Sequence, residues 1–207
     1  MAQSVMMPPS SGGERCKISY EEFLEDYDSR HAEWVDGEVI EMPPMDVEHS
    51  REGVWLSRLM GNFVEAKALG EIHVEPFQMK PSPGLPGRSP DILFVANANL
   101  HRIRRTYLEG PADVVVEIIS LGTASIDRGA KFIEYEQGGV GEYWMIDPIR
   151  QIAEFYRLDQ DGLFRSVQLD GDIFRSEALP GFWLKVEWLW PGTQPPVLQV
   201  LREWKII

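Results

Sequence analysis

Two segments set a carboxylate inside a run that is otherwise apolar. Asp91-Ile92-Leu93-Phe94 follows Ser89-Pro90, and Asp113-Val114-Val115-Val116-Glu117-Ile118-Ile119 is rich in β-branched side chains. Runs of this kind read as strands covered on both faces. Elsewhere the period changes. From Ser50 to Leu69, apolar residues at Val54, Leu56, Leu59, Met60, Phe63 and Val64 recur at helical spacing, and Gly70 fits the stop. Ser19 with Glu22 is a capping-box pattern that opens a short helix through about Tyr27. Residues 32–35 and 38–42 flank Asp36-Gly37 and predict a hairpin with a type I′ turn, ended by Pro43-Pro44.

Residues 72–80 read as a strand and 81–90 as a Pro/Gly loop leading into the strand of Asp91. Residues 101–109 read as a loop or short helix. After the turn at Ser120-Leu121-Gly122-Thr123, Ser125 or Asp127 starts a helix through about Gln137, closed by Gly138-Gly139. A strand over 142–146 stops at Asp147-Pro148, and 151–158 with 163–169 form a second hairpin around Asp161-Gly162. Phe182, Trp183, Trp188 and Trp190 mark an aromatic packing segment near the end. This order predicts an α/β (mixed α+β) fold, a central mixed β-sheet flanked by helices. Residues 1–16 are expected to form a flexible N-terminal segment and 17–207 one domain.

With 207 residues, 43% of them hydrophobic, the chain can bury a real core. The formal net charge of -13 and a pI of about 4.7 argue against a protein that coats nucleic acid non-specifically. A local basic strip, or an acidic cluster filled by metal, stays compatible with that charge. Cys16 is the single cysteine, which excludes an internal disulfide and suggests a reducing compartment. No apolar run approaches the roughly 20 residues of a membrane span, and the start lacks the basic-then-apolar order of a secretory signal. A cytoplasmic protein is expected.

An ionised carboxylate in a covered strand costs several kcal/mol unless a cation or donor answers it. Glu117 therefore pairs with a Lys or Arg as a core ion pair, or it binds metal. Asp91 follows a proline that favours extended geometry; it serves turn chemistry or faces a cleft. Were the two strands adjacent, their acids would make a divalent-metal site. Asp127, Lys131 and Tyr135 lie four residues apart on one helical face. They form an exposed i,i+4 pair, or they bring an ammonium to the strand ends, where it stabilises a phosphorane or orients a water. Glu33 is a solvated strand residue or a third acid in the same cleft. His49 is a capping or surface histidine or a ligand. Arg102, Arg104 and Arg105 are a solvated loop, and also the most concentrated basic group available to hold a phosphate backbone.

The order Pro90-Asp91, Glu117, then a displaced Lys131 resembles the PD-(D/E)XK nuclease superfamily, with its restriction-endonuclease-like fold. More narrowly, the chain resembles the Uma-two family of restriction endonucleases. The matching stretches are Glu33-Trp34-Val35-Asp36-Gly37-Glu38-Val39, Pro43-Pro44 with Glu48-His49-Ser50, and Ser89 to Phe94. Further on come Asp113 to Ser120, Asp127-Arg128 with Lys131 and Tyr135, Gly139-Val140, Glu142-Tyr143-Trp144 and Asp147-Pro148. In the superfamily's usual motif the lysine stands two residues after the acid; here that position is Ile119. Leu121 and Gly122 also stand where relatives often have Pro and Ser, and Ala32 where an aromatic is common.

The resemblance implies a Mg²⁺- or Mn²⁺-dependent DNA endonuclease, homodimeric so that both strands can be cut. Asp91, Glu117 and the Ile118 carbonyl would be the metal ligands. Glu33, Asp91, Glu117 and Lys131 would be the catalytic set, with Lys131 assisting the water. His49, Arg102, Arg104, Arg105 and Tyr135 would contact substrate. The alternative is a non-catalytic nucleic-acid- or protein-binding module that keeps the nuclease scaffold, which the net charge of -13 favours.

Overall fold

The structure, a computed structural model, describes residues 17–26, 31–120 and 124–207. Residues 1–16, including Cys16, and the departures at Leu121 and Gly122 lie outside the described residues. Helix α1 (Tyr20–Asp26) opens on the expected capping box, in which Ser19 and Glu22 each donate a main-chain N–H to the other's side chain at 2.7 and 3.1 Å. Strands β1 (Ala32–Val35) and β2 (Glu38–Glu41) form the hairpin, and Asp36 and Gly37 both take positive φ, as a type I′ turn requires.

Helix α2 (Val47–Lys67) begins before Ser50 because Asp46 caps it, accepting the His49 N–H. It ends at Ala68 in the left-handed region, and Gly70 already belongs to β3 (Gly70–Val74). The strand expected over 72–80 divides. Its second half is β4 (Gln78–Lys80), which pairs in another sheet with β6 (Tyr107–Glu109). Between them come β5 (Ile92–Ala96) and a 3₁₀ turn over Asn97–Arg102.

The central strand β7 (Val114–Ile118) is buried at every residue. Then follow α3 (Ala124–Ile126), a π-helical turn over Asp127–Lys131, α4 (Phe132–Gly138), β8 (Glu142–Asp147), β9 (Ile152–Leu158) and β10 (Phe164–Ser166). The aromatic-rich end resolves into β11 (Ile173–Arg175), β12 (Trp183–Lys185), a 3₁₀ turn over Val186–Leu189 and α5 (Val197–Glu203).

The main sheet has the order β10-β9-β8-β7-β5-β3. Only β7 and β8 run parallel, and a parallel pair needs a crossover, which the α3–α4 segment provides. One face of the sheet, with Ile92, Phe94, Val116 and Trp144, packs on α2 and the C-terminal elements. The other, with Leu93, Val115, Tyr143 and Met145, packs on Tyr135 of α4. The fold is thus the mixed sheet flanked by helices that the sequence predicts. Among the described residues no helix is long and apolar enough to cross a membrane.

Glu52 on α2 departs from the apolar pattern: it is buried, accepts a hydrogen bond from Gln194, and leaves Oε1 without a hydrogen-bond partner. Burial raises its pKa from 4.5 to about 8, against the smaller pull of Gln194. The folded chain therefore holds a proton that the unfolded chain releases near pH 4.5. This contribution is complete in acid and is lost as pH climbs towards 8. Glu52→Gln should flatten that slope, adding on the order of 5 kcal/mol at pH 9 and little at pH 4. Urea unfolding at both pH values checks it.

Candidate active site

Strand register brings three carboxylates to one rung. Val74 pairs with Ile92, and Ile92 with Val116. One step further along these antiparallel ladders, Glu75 stands opposite Asp91 and Asp91 opposite Glu117. The Glu75 N–H reaches the Asp91 carbonyl at 3.4 Å, and the Ile118 N–H donates to Asp91 Oδ2. Opposed residues of antiparallel strands share a side of the sheet, so three acids from distant parts of the sequence meet at its end.

Each acid has a different neighbour. Asp91 Oδ1 lies 2.8 Å from His49 Nε2. Burial works against a charged His49, but the hydrogen bond and charge of Asp91 outweigh it and raise the imidazole pKa. Glu75 lies 2.7 Å from His31 Nε2; burial, then the charge of Asp91, raises its pKa. Glu117 turns inward. Its Oε1 accepts from the Tyr135 hydroxyl at 2.7 Å and lies 3.0 Å from Lys131 Nζ.

Lys131 is 2% exposed, and its ammonium also touches Glu33 at 3.2 Å and Asp127 at 3.3 Å. Burial disfavours that charge, yet Glu117, Glu33 and Asp127 together hold its pKa well above the usual lysine range. Glu33 is steadied from behind by Arg88, which donates to Glu33 at 2.7 Å and grips Glu134 with two further bonds. Burial would raise the Glu33 pKa, but Lys131 and Arg88 bring it below the usual value. For Glu117 the balance goes the other way. Burial, joined by Asp127, Asp91 and Glu33, raises its pKa well above the usual carboxylate range despite Lys131.

Local sequence explains this placement. The π-helical turn carries Asp127 and Lys131 inward, and Tyr135 follows on the same side of α4. Trp34 of β1 exchanges main-chain bonds with Gly87, which sets Arg88 beside Glu33. A Cβ at position 87 would lie 2.3 Å from the Tyr20 ring, so any larger residue there would force that ring to shift.

The rung opens on a cleft lined by His31, Pro43, Pro44, His49, Glu75, Ser89, Asp91, Glu117 and Ile118, among others. Of the residues expected from sequence, Asp91, Glu117, Ile118 and His49 line it. Glu33, Lys131 and Tyr135 form the layer behind Glu117. Tyr135 is wholly buried, with its hydroxyl on Glu117. Arg102, Arg104 and Arg105 do not line the cleft; Arg102 donates to the Pro111 carbonyl and Arg104 pairs with Glu109. Sequence reasoning missed Glu75, which the β3–β5 register would have revealed, and Arg88, one residue before Ser89-Pro90-Asp91.

The donor set fits a hard divalent cation: two carboxylates, Asp91 and Glu117, and the main chain at Ile118, in a pocket where burial and the neighbouring acids raise the Glu117 pKa despite Lys131. Replacing Tyr135 by Phe removes the hydroxyl that donates to Glu117 at 2.7 Å. It should cost about 1–2 kcal/mol of stability, read by thermal melting.

Comparison with known proteins places the chain in a family and shows its fold in a solved structure. A family model described as Uma2, putative restriction endonuclease, matches residues 19–187, and the chain belongs to this family. No curated protein matches the chain. Among solved structures, the chain is similar to a putative nuclease belonging to DUF820 from Anabaena variabilis, with a TM-score of 0.67 at 18% identity. The match covers 83% of this chain and 97% of that one, and it shows the shared fold.

Proposed function

We propose that the chain is a divalent-cation-dependent endonuclease that hydrolyses phosphodiester bonds of DNA. One observation carries the reading: Asp91 and Glu117 share a rung at the mouth of a cleft, with the Lys131 ammonium 3.0 Å behind Glu117. The carboxylates of Asp91 and Glu117 and the carbonyl of Ile118 would hold Mg²⁺ or Mn²⁺. A bound cation of this kind polarises the scissile phosphate and lowers the pKa of a nearby water.

The chain's own groups do the rest. Asp91 is held by the Ile118 N–H and by His49, which fixes its orientation. Tyr135 and Lys131 fix Glu117 from behind. The Lys131 ammonium lies 3.0–3.3 Å from Glu33, Glu117 and Asp127, so turning it away from Glu117 would offer a donor to the attacking water. Lys131 and Arg88 together hold the Glu33 pKa low, and Glu33 joins Glu117 and Asp127 in keeping the ammonium charged. The pair of sites needed to cut a duplex would come from a homodimer.

The second reading, a scaffold that binds without cutting, is favoured by the cleft wall. No lysine or arginine lines it among the described residues, and the chain's net charge is -13. Incubation of supercoiled and linear DNA with Mn²⁺, Mg²⁺ or chelator separates the two. Cleavage with either cation and none with chelator supports the nuclease. Binding without cleavage under every condition supports the scaffold.

A further inference from the structure

The cleft continues along α2 into a second hollow of about 180 Å³, and the two share Met45, His49, Glu75 and Asp91. Past that shared edge the lining changes character. Val54 and Val74 join Met45 as apolar sides, and the three are 56%, 46% and 48% exposed. Ser50, Gly53, Val54 and Ser57 recur at three- and four-residue spacing, so they lie on one face of α2. Gly53 adds no side chain to the space, and a serine hydroxyl stands on either side of it along the helix.

No lysine or arginine lines the cleft or this hollow among the described residues. The phosphates of a duplex backbone would find no counter-charge on this wall. A nucleobase needs none. It is a neutral planar ring with apolar faces and hydrogen-bonding edges, and apolar side chains take such a ring once it leaves the stack. The size is sufficient, since an apolar cavity of about 150 Å³ engineered into another protein binds benzene.

We infer that this hollow is a subsite for an unpaired nucleobase, and that the substrate is single-stranded DNA or a locally opened duplex. The inference rests on the nuclease reading for the place of the cut, because the shared edge at Asp91 sets the base beside the scissile phosphate. In an intact duplex that base would first have to be unstacked and turned out, which a single strand does not require.

The test is fluorescence anisotropy of a labelled oligonucleotide, as a single strand and as a blunt duplex, on the full chain with MnCl₂ or with chelator. The single strand should bind about tenfold tighter than the duplex, and a strand of abasic residues no better than the duplex. Val54→Asp puts a charge into the hollow at an exposed position, so the chain should still fold. It should weaken single-strand binding about tenfold and leave duplex binding unchanged. Duplex bound as tightly as the single strand, or an abasic strand bound as tightly as the normal one, overturns the inference. So does a dimer that Val54→Asp dissociates while single-strand affinity holds, which would give the hollow to a second copy. Cleavage judges the nuclease reading separately. Base-dependent binding without cleavage under either cation sinks that reading and leaves the subsite, whereas duplex cleavage with base-independent binding does the reverse.

Discussion

Asp91→Ala will remove cation-supported DNA cleavage, and Glu117→Gln will do so almost as completely. On the proposed mechanism, loss of a carboxylate that would hold the cation forfeits several kcal/mol of charge stabilisation in the transition state. At ~4 kcal/mol, the remaining rate is about a thousandth of wild type. The two variants part company in stability. Asp91→Ala strips His49 and the Ile118 N–H of their acceptor and should melt lower. Glu117→Gln replaces a carboxyl whose pKa the fold has already raised, chiefly by burial, with a neutral group of the same shape. The amide oxygen can still accept from Tyr135. Its stability should stay within about 1 kcal/mol of the wild-type chain. Gel assays of cleavage beside melting curves check both halves. Wild-type cleavage rates in both variants would remove Asp91 and Glu117 from the chemistry.

The separation of activity from stability shows which parts of the site local sequence can reveal. Asp91 and Glu117 stand out because a carboxylate among β-branched residues violates the expectation for a covered strand, and each is visible within its own segment. Lys131 and Tyr135 follow from helical spacing, although the π-helical form of the turn over Asp127–Lys131 leaves no mark in the apolar pattern. The hairpin at Asp36-Gly37 and the capping box at Ser19 are equally local, and the structure has both.

What local reading misses is set by register and by long-range contact. Glu75 looks like a residue of an ordinary strand until β3 is laid against β5. Arg88 looks like a loop residue until Trp34 pairs with Gly87 and carries Glu33 beside it. The strand predicted over 72–80 divides for the same reason, since the partner of β4 is β6, a strand hidden within the basic segment. Helix α5 is short and stabilised by packing on α2 through Val197, Val200 and Leu201. Its helicity comes from tertiary burial more than from intrinsic propensity.

Lys131→Met will be the most destabilising substitution in the site, and metal will reveal why. The ammonium is enclosed by Glu33, Glu117 and Asp127 at 3.0–3.3 Å. Methionine fills similar space but takes the cation away from Glu33 and Asp127, and from Glu117 whenever that carboxyl ionises. Breaking a buried ion pair by removing one partner costs about 3–5 kcal/mol, because the surviving charge keeps its desolvation penalty. A core ion pair with no ligand role predicts that loss and nothing more. A cation site predicts that added Mn²⁺ restores positive charge beside Glu117, and so returns part of the stability to Lys131→Met. Urea unfolding of wild type and variant, with Mn²⁺ and with chelator, decides between them. A Mn²⁺-dependent gain larger in Lys131→Met than in wild type supports the cation site. An Mn²⁺-insensitive loss leaves Lys131 as the counter-ion of a structural core.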